Sequence, residues 1–295
     1  MPFAQAGKML EMLLGVQVSE ATVRRLTEQA GASYEQVQTL QSQQVQAQEP
    51  SAWTPWFQAK AAPIAQSEKA VISSDGAYVP LLSGEWAEVR TLALGQVEKH
   101  RRAKGEETSQ VSHLSYFSRM SPAETFEREC EGELHRRGIA QVEQVCAVTD
   151  GAIWLQHFLD LHRPDALRIL DFPHAAEYVS AIGEGVRQAG YHLPKQWLDG
   201  VLHRLKHQGP DRVLRHLSRL CERCHDPEME KKWRYLSTRQ HLMQYPTYQA
   251  AGWPIGSGMV ESANKLVMQT RRVWPRDALG ADACQPPARA AHRRL

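Results

Sequence analysis

The 295-residue sequence contains no long apolar run. A membrane-spanning helix needs about 18 to 20 consecutive apolar residues, and no stretch of this chain approaches that length. Cysteine is also scarce, because the chain has only five cysteines, an odd number, and no signal peptide precedes them. This usage is typical of a reduced intracellular protein. We therefore expect a cytoplasmic protein that does not enter a membrane.

A strong excess of charge of one sign is absent as well. The net charge is +2, which neither requires nor excludes a polyanionic partner. Positive charge is concentrated in three runs, at residues 98–105, 203–219 and 288–295. Such runs are more often solvated surfaces than nucleic-acid surfaces, so both interpretations stay open. The 42% of hydrophobic residues is ordinary for a globular core and argues against a disordered chain.

Residues 1–45 predict two short amphipathic helices around Gly15, and Ser19 is a good N-cap for the second helix. Leu10, Leu13 and Leu14 are expected along one face of the first helix, and Val23 and Leu26 are expected to turn inward. Thr22, Arg24 and Arg25 lie near the start of the second helix, which fits a helix-turn-helix DNA-binding segment. A plain helical hairpin fits the same spacing.

The chain after this segment alternates predicted strands and helices. Residues 46–68, rich in Gln, Ala, Ser and Pro, predict a linker. Strands are expected at 69–81, 85–97, 112–120, 143–149 and 166–172, with the first three forming a meander. Helices are expected at 121–138 and 173–190, over most of 193–249 as an all-helical insertion, and at 257–272. This order predicts an α/β domain with helices on a central mixed sheet.

Three carboxylates are candidates for metal-dependent chemistry. Asp75 and Asp150 each follow an apolar strand run and precede a glycine, and Glu261 lies on a later predicted helix. A buried carboxylate without a partner costs several kcal/mol, so it needs a hydrogen-bonding neighbour, a metal or a strand end. Two divalent cations about 3.5 to 4 Å apart can promote phosphodiester cleavage and strand transfer. Asp-Gly is also a common turn dipeptide, so each aspartate alone also fits a turn at a strand end.

Four motifs in order carry a resemblance to a known family. They are SSDGAYVPL (73–81), VTDGAIWL (148–155), ILDFPHAAEYV (169–179) and GWPIGSGMVESANKLV (252–267). With these motifs the chain resembles bacterial insertion-sequence transposases of the DDE class, close to the Kra-type elements. The resemblance extends from Phe3 to about Arg272.

The resemblance implies an RNase H-like mixed sheet with flanking helices in a catalytic domain at residues 69–272. Asp75, Asp150 and Glu261 match the family's catalytic triad and metal ligands, with Mg²⁺ or Mn²⁺ as the cofactor. Asp75 on the first strand and Asp150 on the fourth are then expected side by side. A bound metal would offset the desolvation of Asp75, which explains a carboxylate in an apolar strand.

The implied activity is that of a transposase, which cleaves transposon-end DNA and joins the exposed 3′ hydroxyls to target DNA. Its partners would be double-stranded DNA of the element ends and the target, and further copies of the chain on that DNA, associated with the nucleoid. Two alternatives remain: a catalytically inactive DNA-binding remnant of a transposase, and a metal-dependent nuclease that only hydrolyses.

Further residues have a weaker assignment. Asp171 and His174 match an Asp-x-x-His pattern that related transposases with a helical insertion carry after the second aspartate, and this makes them accessory candidates. A structural histidine fits the same position. Cys221 and Cys224 form a single CxxC pair inside a predicted helix, without a second pair at zinc-finger spacing, which argues against a zinc site.

The chain departs from the family pattern at both ends. Relatives usually begin before the helix-turn-helix with a cysteine-rich segment, so we expect part of the DNA-binding equipment to be missing. Residues 273–295 lose helical periodicity and predict a disordered tail. Back-translated with GC-rich codons and read one nucleotide later, Asp277 to Ala291 give the continuation that the family usually has. A frameshift near Val273 is therefore our hypothesis, and the nucleotide sequence tests it.

Overall fold

The computed structural model describes residues 3–47, 64, 67–80, 84–101 and 107–260. These residues fall into two compact units, residues 3–30 and residues 31–260. Glu261, the remainder of the predicted helix at 257–272 and the predicted tail at 273–295 lie outside the described residues, as does most of the predicted linker at 46–68.

The first unit contains one helix and the beginning of a second, which are joined at a glycine. Helix α1 (Phe3–Leu14) stops before Gly15, which has a φ of +67° that favours glycine. Helix α2 (Glu20–Ala47) starts after Ser19, whose Oγ accepts the Thr22 N–H at 3.1 Å. This bond satisfies one of the N–H groups that a helix start leaves without a partner. The predicted glycine turn and serine cap are confirmed.

The inward face of α2 is narrower than its sequence suggests. Val23 is buried, with 8% of its surface exposed, as expected. Leu26 is 54% exposed, so the expectation that it turns inward was wrong. Val23 lies next to Gly7 of α1, whereas Leu26 lies one turn beyond that contact.

The second unit contains a five-stranded mixed sheet in the order β3-β2-β1-β4-β5. The strands are β1 (Lys69–Pro80), β2 (Trp86–Arg101), β3 (Glu107–Arg119), β4 (Gln144–Thr149) and β5 (Leu167–Leu170). Strand β2 pairs antiparallel with β1 and β3, and β4 pairs parallel with β1 and β5. The predicted meander and the central mixed sheet are confirmed. Parallel neighbours need crossover connections, and helices provide them here.

Helices lie before and after the parallel strands. They are α3 (Ala123–Arg136), α4 (Ile153–His162) and α5 (Phe172–Gln188), followed by α6 (Trp197–Gln208), α7 (Pro210–Cys224), α8 (Pro227–Thr238) and α9 (Tyr245–Ala250). Short 3₁₀ turns at Ile139–Gln141 and Gln240–Leu242 complete the order. Helices α6 to α9 confirm that the segment 193–249 is mainly helical. Among the described residues, no helix is both long and apolar enough to cross a membrane.

The sheet separates two hydrophobic cores. Successive side chains of a strand point to opposite faces, so Val71 and Ile72 enter different cores. One core joins the sheet to α5 and the helices after it, and the other joins it to α3 and α4. The candidate site lies where β4 and β5 end, among polar side chains.

A glycine allows α5 and α6 to pack closely. A Cβ atom placed on Gly183 of α5 would lie 2.4 Å from the ring of Trp197, which is buried at the start of α6. The Trp197 indole N–H donates to His216 Nε2 of α7 at 3.0 Å, which holds the ring in place. The ring therefore has little freedom to move away from an added methyl group.

We predict that Gly183→Ala destabilises the protein by about 1 to 3 kcal/mol, the usual cost of overpacking a core. Gly200→Ala in α6 is the matched control, because nothing lies within 4 Å of its added Cβ. Alanine is the better helix former by up to about 1 kcal/mol, so the control should stabilise. Urea denaturation followed by circular dichroism measures both, and equal effects of the two substitutions would contradict the packing argument.

Candidate metal centre

The strand registers bring three aspartates to one level of the sheet. Ile72 of β1 lies opposite Ala147 of β4, and this register extended along both strands places Asp75 level with Asp150. Thr149 of β4 lies opposite Leu170 of β5, so the next residues are Asp150 and Asp171. Adjacent parallel strands are about 4.8 Å apart. The three carboxylates therefore lie in a row across the carboxyl ends of β4 and β5 and the middle of β1, where Asp75 still pairs with Thr91 of β2. The alternative that Asp75 lies in a turn at a strand end was wrong.

Asp75 is half-buried and its charge is disfavoured. Burial is the largest cause that raises the pKa of this carboxyl, and the nearby Asp150 and Asp171 raise it further. A hydrogen bond from the Gly76 N–H to Oδ1, at 2.8 Å, and the His174 ring act in the opposite direction. A carboxylate held near like charges favours any cation that enters the site.

Asp150 occupies a turn directly after β4. Its Oδ1 accepts the Ala152 N–H at 2.9 Å, and Gly151 between them has a φ of +75°. The backbone carbonyls of this turn bind side chains from a distant helix, because the Tyr235 hydroxyl donates to the Asp150 carbonyl and Arg239 donates to the Gly151 carbonyl at 3.1 Å. The sequence does not locate these two residues, because they lie 85 or more positions from the turn.

Asp171 is a buried anchor, with 6% of its surface exposed. It is the N-cap of α5, where Oδ2 accepts the His174 N–H at 3.4 Å. Its Oδ1 accepts the Ser257 N–H at 2.7 Å, and the neighbouring Phe172 N–H donates to the Ile255 carbonyl at 2.9 Å. The carboxylate therefore attaches the chain segment around 255–257 to the carboxyl end of β5.

Glu261, the third expected ligand, lies outside the described residues. Val260 is the last described residue, and its N–H donates to the Ser257 carbonyl at 2.8 Å. The segment that leads to Glu261 is therefore attached to Asp171, directly after β5, through Ser257. The role predicted for Glu261 stays a prediction.

His174 lies in the first turn of α5 between the acidic row and an aromatic pair. Its ring packs edge-on against Tyr178 and Tyr235, with centroids 5.2 and 5.8 Å away. Nδ1 is 3.7 Å from a carboxylate oxygen of Glu177. The ring is close enough to Asp75 to lower the pKa of that carboxyl. Both accessory candidates from the sequence, Asp171 and His174, therefore lie beside the aspartate pair.

The donor set fits a hard divalent cation. Mg²⁺ and Mn²⁺ prefer carboxylate oxygens, and Asp75 and Asp150 offer them from adjacent strands. In the described part of the chain, no group of three or more His, Cys, Asp or Glu residues already has the arrangement of a metal site. Asp171 uses both of its oxygens to accept backbone N–H groups, so Asp75 and Asp150 are the stronger ligand candidates among the described residues.

In the Cys221–Cys224 pair, Cys221 is a buried free thiol and Cys224 is partly exposed. Burial is the first cause that raises the pKa of Cys221 to about 11, so its thiol is protonated at neutral pH. Its Sγ–H faces the Met229 carbonyl at 3.6 Å. Zinc binds the thiolate form, and the surroundings of Cys221 therefore give no support to a zinc site.

The DNA-binding candidates lie at the start of α2 in the first unit. Arg24 and Arg25 are exposed, and the Arg24 guanidinium lies 5.5 Å from the ring centre of Phe3. The Thr22 hydroxyl is 3.0 Å from the Ser19 hydroxyl, within the cap of the helix. Two exposed cations beside a helix start are compatible with a phosphate or base contact.

We predict that Asp75→Asn raises the melting temperature of the metal-free protein near neutral pH. The raised pKa of Asp75 means that wild-type stability is greatest while the carboxyl is protonated and decreases as the pH rises through the folded-state pKa. The variant lacks this loss, so its advantage should disappear below the ordinary pKa of 3.8 and grow above it. Thermal melts in a chelator at several pH values measure the effect.

Divalent cations should reverse the order of stability, because a ligand that binds only the folded state raises its melting temperature. Wild type should gain more from Mg²⁺ or Mn²⁺ than Asp75→Asn does. Asp199→Asn is the matched control, since Asp199 is an exposed residue of α6 and such surface changes stay within about 0.5 kcal/mol. A metal-free wild type that is more stable than Asp75→Asn at neutral pH would contradict the electrostatic description of the site.

Comparisons with known proteins do not assign the chain to a family. No protein-family model matches the chain. The search of curated proteins likewise found no significant match. Any function assigned to the acidic row therefore depends on the residues themselves and on their contacts.

Proposed function

We propose that the protein is a DDE-type transposase with an RNase H-like catalytic core. The observation that carries the proposal is the register that brings Asp75 and Asp150 to the same level of adjacent parallel strands. Two carboxylates in such positions are suited to hold divalent cations, and Glu261 would complete the set. Bound Mg²⁺ or Mn²⁺ would activate a water or a 3′ hydroxyl and stabilise the leaving oxygen of a phosphodiester.

The sheet supports the RNase H-like interpretation. Its order is β3-β2-β1-β4-β5, and β2 alone runs against its neighbours among these strands. The motif resemblance assigns the two aspartates to the first and fourth strands, which are neighbours in this sheet. Ligand sites of open α/β sheets typically lie at the carboxyl ends of parallel strands, and Asp150 and Asp171 directly follow the ends of β4 and β5.

The protein's own residues would organise the reaction. Asp75 and Asp150 would hold the cations, and Asp171 would hold the segment that leads to Glu261 through its bond to the Ser257 N–H. His174, next to the row, has an imidazole that could contact a DNA phosphate. The DNA would be the double-stranded element end and target, bound by a homo-oligomer.

DNA binding would use α1 and the start of α2, which lie in the first unit. Arg24 and Arg25 are exposed at the start of α2, and α1 and α2 have the short glycine turn of a helix-turn-helix. Binding without cleavage is the activity of a remnant, and cleavage without joining is that of a nuclease. The experiments below separate these outcomes.

We predict that Asp150→Asn lowers Mg²⁺-dependent cleavage of element-end DNA about 1,000-fold, because metal catalysis supplies several kcal/mol and each 1.36 kcal/mol is tenfold in rate. Asp199→Asn should cleave like wild type. The measurement uses labelled DNA from the ends that flank the coding sequence, with a target plasmid present. Joined products identify a transposase, whereas nicks alone identify a nuclease. Equal cleavage by wild type and Asp150→Asn would refute the assignment of the site.

We predict that Arg25→Ala weakens DNA binding and lowers the slope of log affinity against log salt by about 1, the loss of one phosphate contact. Arg187→Ala is the matched control, since Arg187 is paired with Glu184 on α5 of the other unit. Fluorescence anisotropy at several salt concentrations measures both variants. An unchanged slope in Arg25→Ala would remove this arginine from the DNA interface.

A further inference from the structure

The turn that carries Asp150 is held from outside the sheet. Its two carbonyls point to α8 and the residue after it, where the Tyr235 hydroxyl donates to Asp150 and the Arg239 guanidinium donates to Gly151 through Nε and a terminal nitrogen, at 3.3 and 3.1 Å. Tyr235 and Arg239 are four residues apart, so they share one face of the helix end. Tyr235, in the last turn of α8, and Arg239, directly after the helix, therefore hold the turn at the proposed ligand. We call these two side chains the clamp.

The two clamping side chains also hold each other. The Arg239 guanidinium carbon lies 3.8 Å from the ring centre of Tyr235, and the Tyr178 ring stacks on Tyr235 with a centroid distance of 4.1 Å. The Arg239 guanidinium donates to the Tyr235 carbonyl as well, at 3.3 Å. Stacking on Tyr178 of α5 and the hydrogen bond to the Tyr235 carbonyl thus hold the Tyr235 hydroxyl and the Arg239 guanidinium in position for the turn.

The turn needs a glycine at position 151, where Arg239 packs against the backbone. Gly151 has a φ of +75°, and a Cβ atom on it would lie 2.8 Å from Arg239 Nε. A side chain at this position would therefore both strain the backbone and displace the guanidinium. Asp150 points its Oδ1 to the Ala152 N–H across the same turn, so a change in the turn would also move the carboxylate.

We propose that Tyr235 and Arg239 are positioning residues that set the divalent-cation affinity of Asp150. The inference rests on the proposed function, since it requires Asp150 to be a metal ligand. Both act through the two carbonyls of the turn, that of Asp150 and that of Gly151. Removal of a group that hydrogen-bonds a ligating side chain typically lowers metal affinity by about 10- to 100-fold. Tyr235 and Arg239 bind the backbone next to the carboxylate, so we expect the lower end of this range. The helical insertion would thereby determine how well the sheet's acidic row binds metal.

The test measures Mn²⁺ binding to the full chain by electron paramagnetic resonance, well below the melting temperature of each variant. Tyr235→Phe removes one hydroxyl, and Arg239→Gln removes the guanidinium. We expect the Mn²⁺ dissociation constant to rise about 10-fold in each. Arg239→Lys, which keeps a cationic donor, should recover part of the affinity. A merely structural role would lower the melting temperature and leave the affinity of the folded protein unchanged.

Two controls match these substitutions in chemistry. Tyr248→Phe removes a hydroxyl that donates to the His241 carbonyl at 2.8 Å, and Arg234→Gln removes an exposed arginine that is paired with Glu230. Both should bind Mn²⁺ like wild type. If Arg239→Gln does not fold, the comparison of Tyr235→Phe with Tyr248→Phe decides the question.

Asp150→Asn separates the inference from the function on which it rests. If Asp150→Asn loses Mn²⁺ binding but Tyr235→Phe and Arg239→Gln bind like wild type, the clamp has no role in affinity and the proposed metal centre still stands. If wild type and Asp150→Asn bind Mn²⁺ equally, the metal role of Asp150 and the clamp fall together.

Discussion

The burial and mutual repulsion of carboxylates on adjacent parallel strands form the constraint on which the candidate site depends. The register of β1 and β4, extended three residues beyond its last pair, brings Asp75 next to Asp150, and burial together with nearby negative charge raises the pKa of Asp75. The strands remain paired because both faces of the sheet are covered by apolar side chains. The hydrophobic cores thus stabilise an arrangement that is unfavourable for the carboxylates alone and favourable for a bound cation.

The rest of the second unit fixes the loops that leave this edge. The turn after β4 is bound by Tyr235 and Arg239, and the turn after β5 places Asp171 where it binds the Ser257 N–H. Each loop is therefore attached to a helix or segment that comes much later in the sequence. Such attachments restrict the carboxylates to one geometry, as proteins commonly do when a site must be formed before its ligand arrives.

Much of the architecture was predictable because its signals are local. Alternating and continuous apolar runs predicted the strands, and glycine, proline and cap residues predicted most of the helix limits. Helix α4 (Ile153–His162), which connects β4 to β5, was not predicted. The error at Leu26 has a different origin, since its burial depends on how far α1 covers α2, and 54% of its surface is exposed. Helical periodicity shows which residues share a face but does not show how much of that face a partner covers.

The sequence by itself determined the mixed α/β class, the candidate pair Asp75 and Asp150, and the helical character of the segment that precedes the last motif. Only the tertiary structure decided that Asp171 spans two segments and that Tyr235 and Arg239 hold the Asp150 turn. These contacts join residues 85 or more positions apart. Hydrogen bonds of that separation depend on the packing of whole helices against the sheet, and local sequence patterns carry no information about that packing.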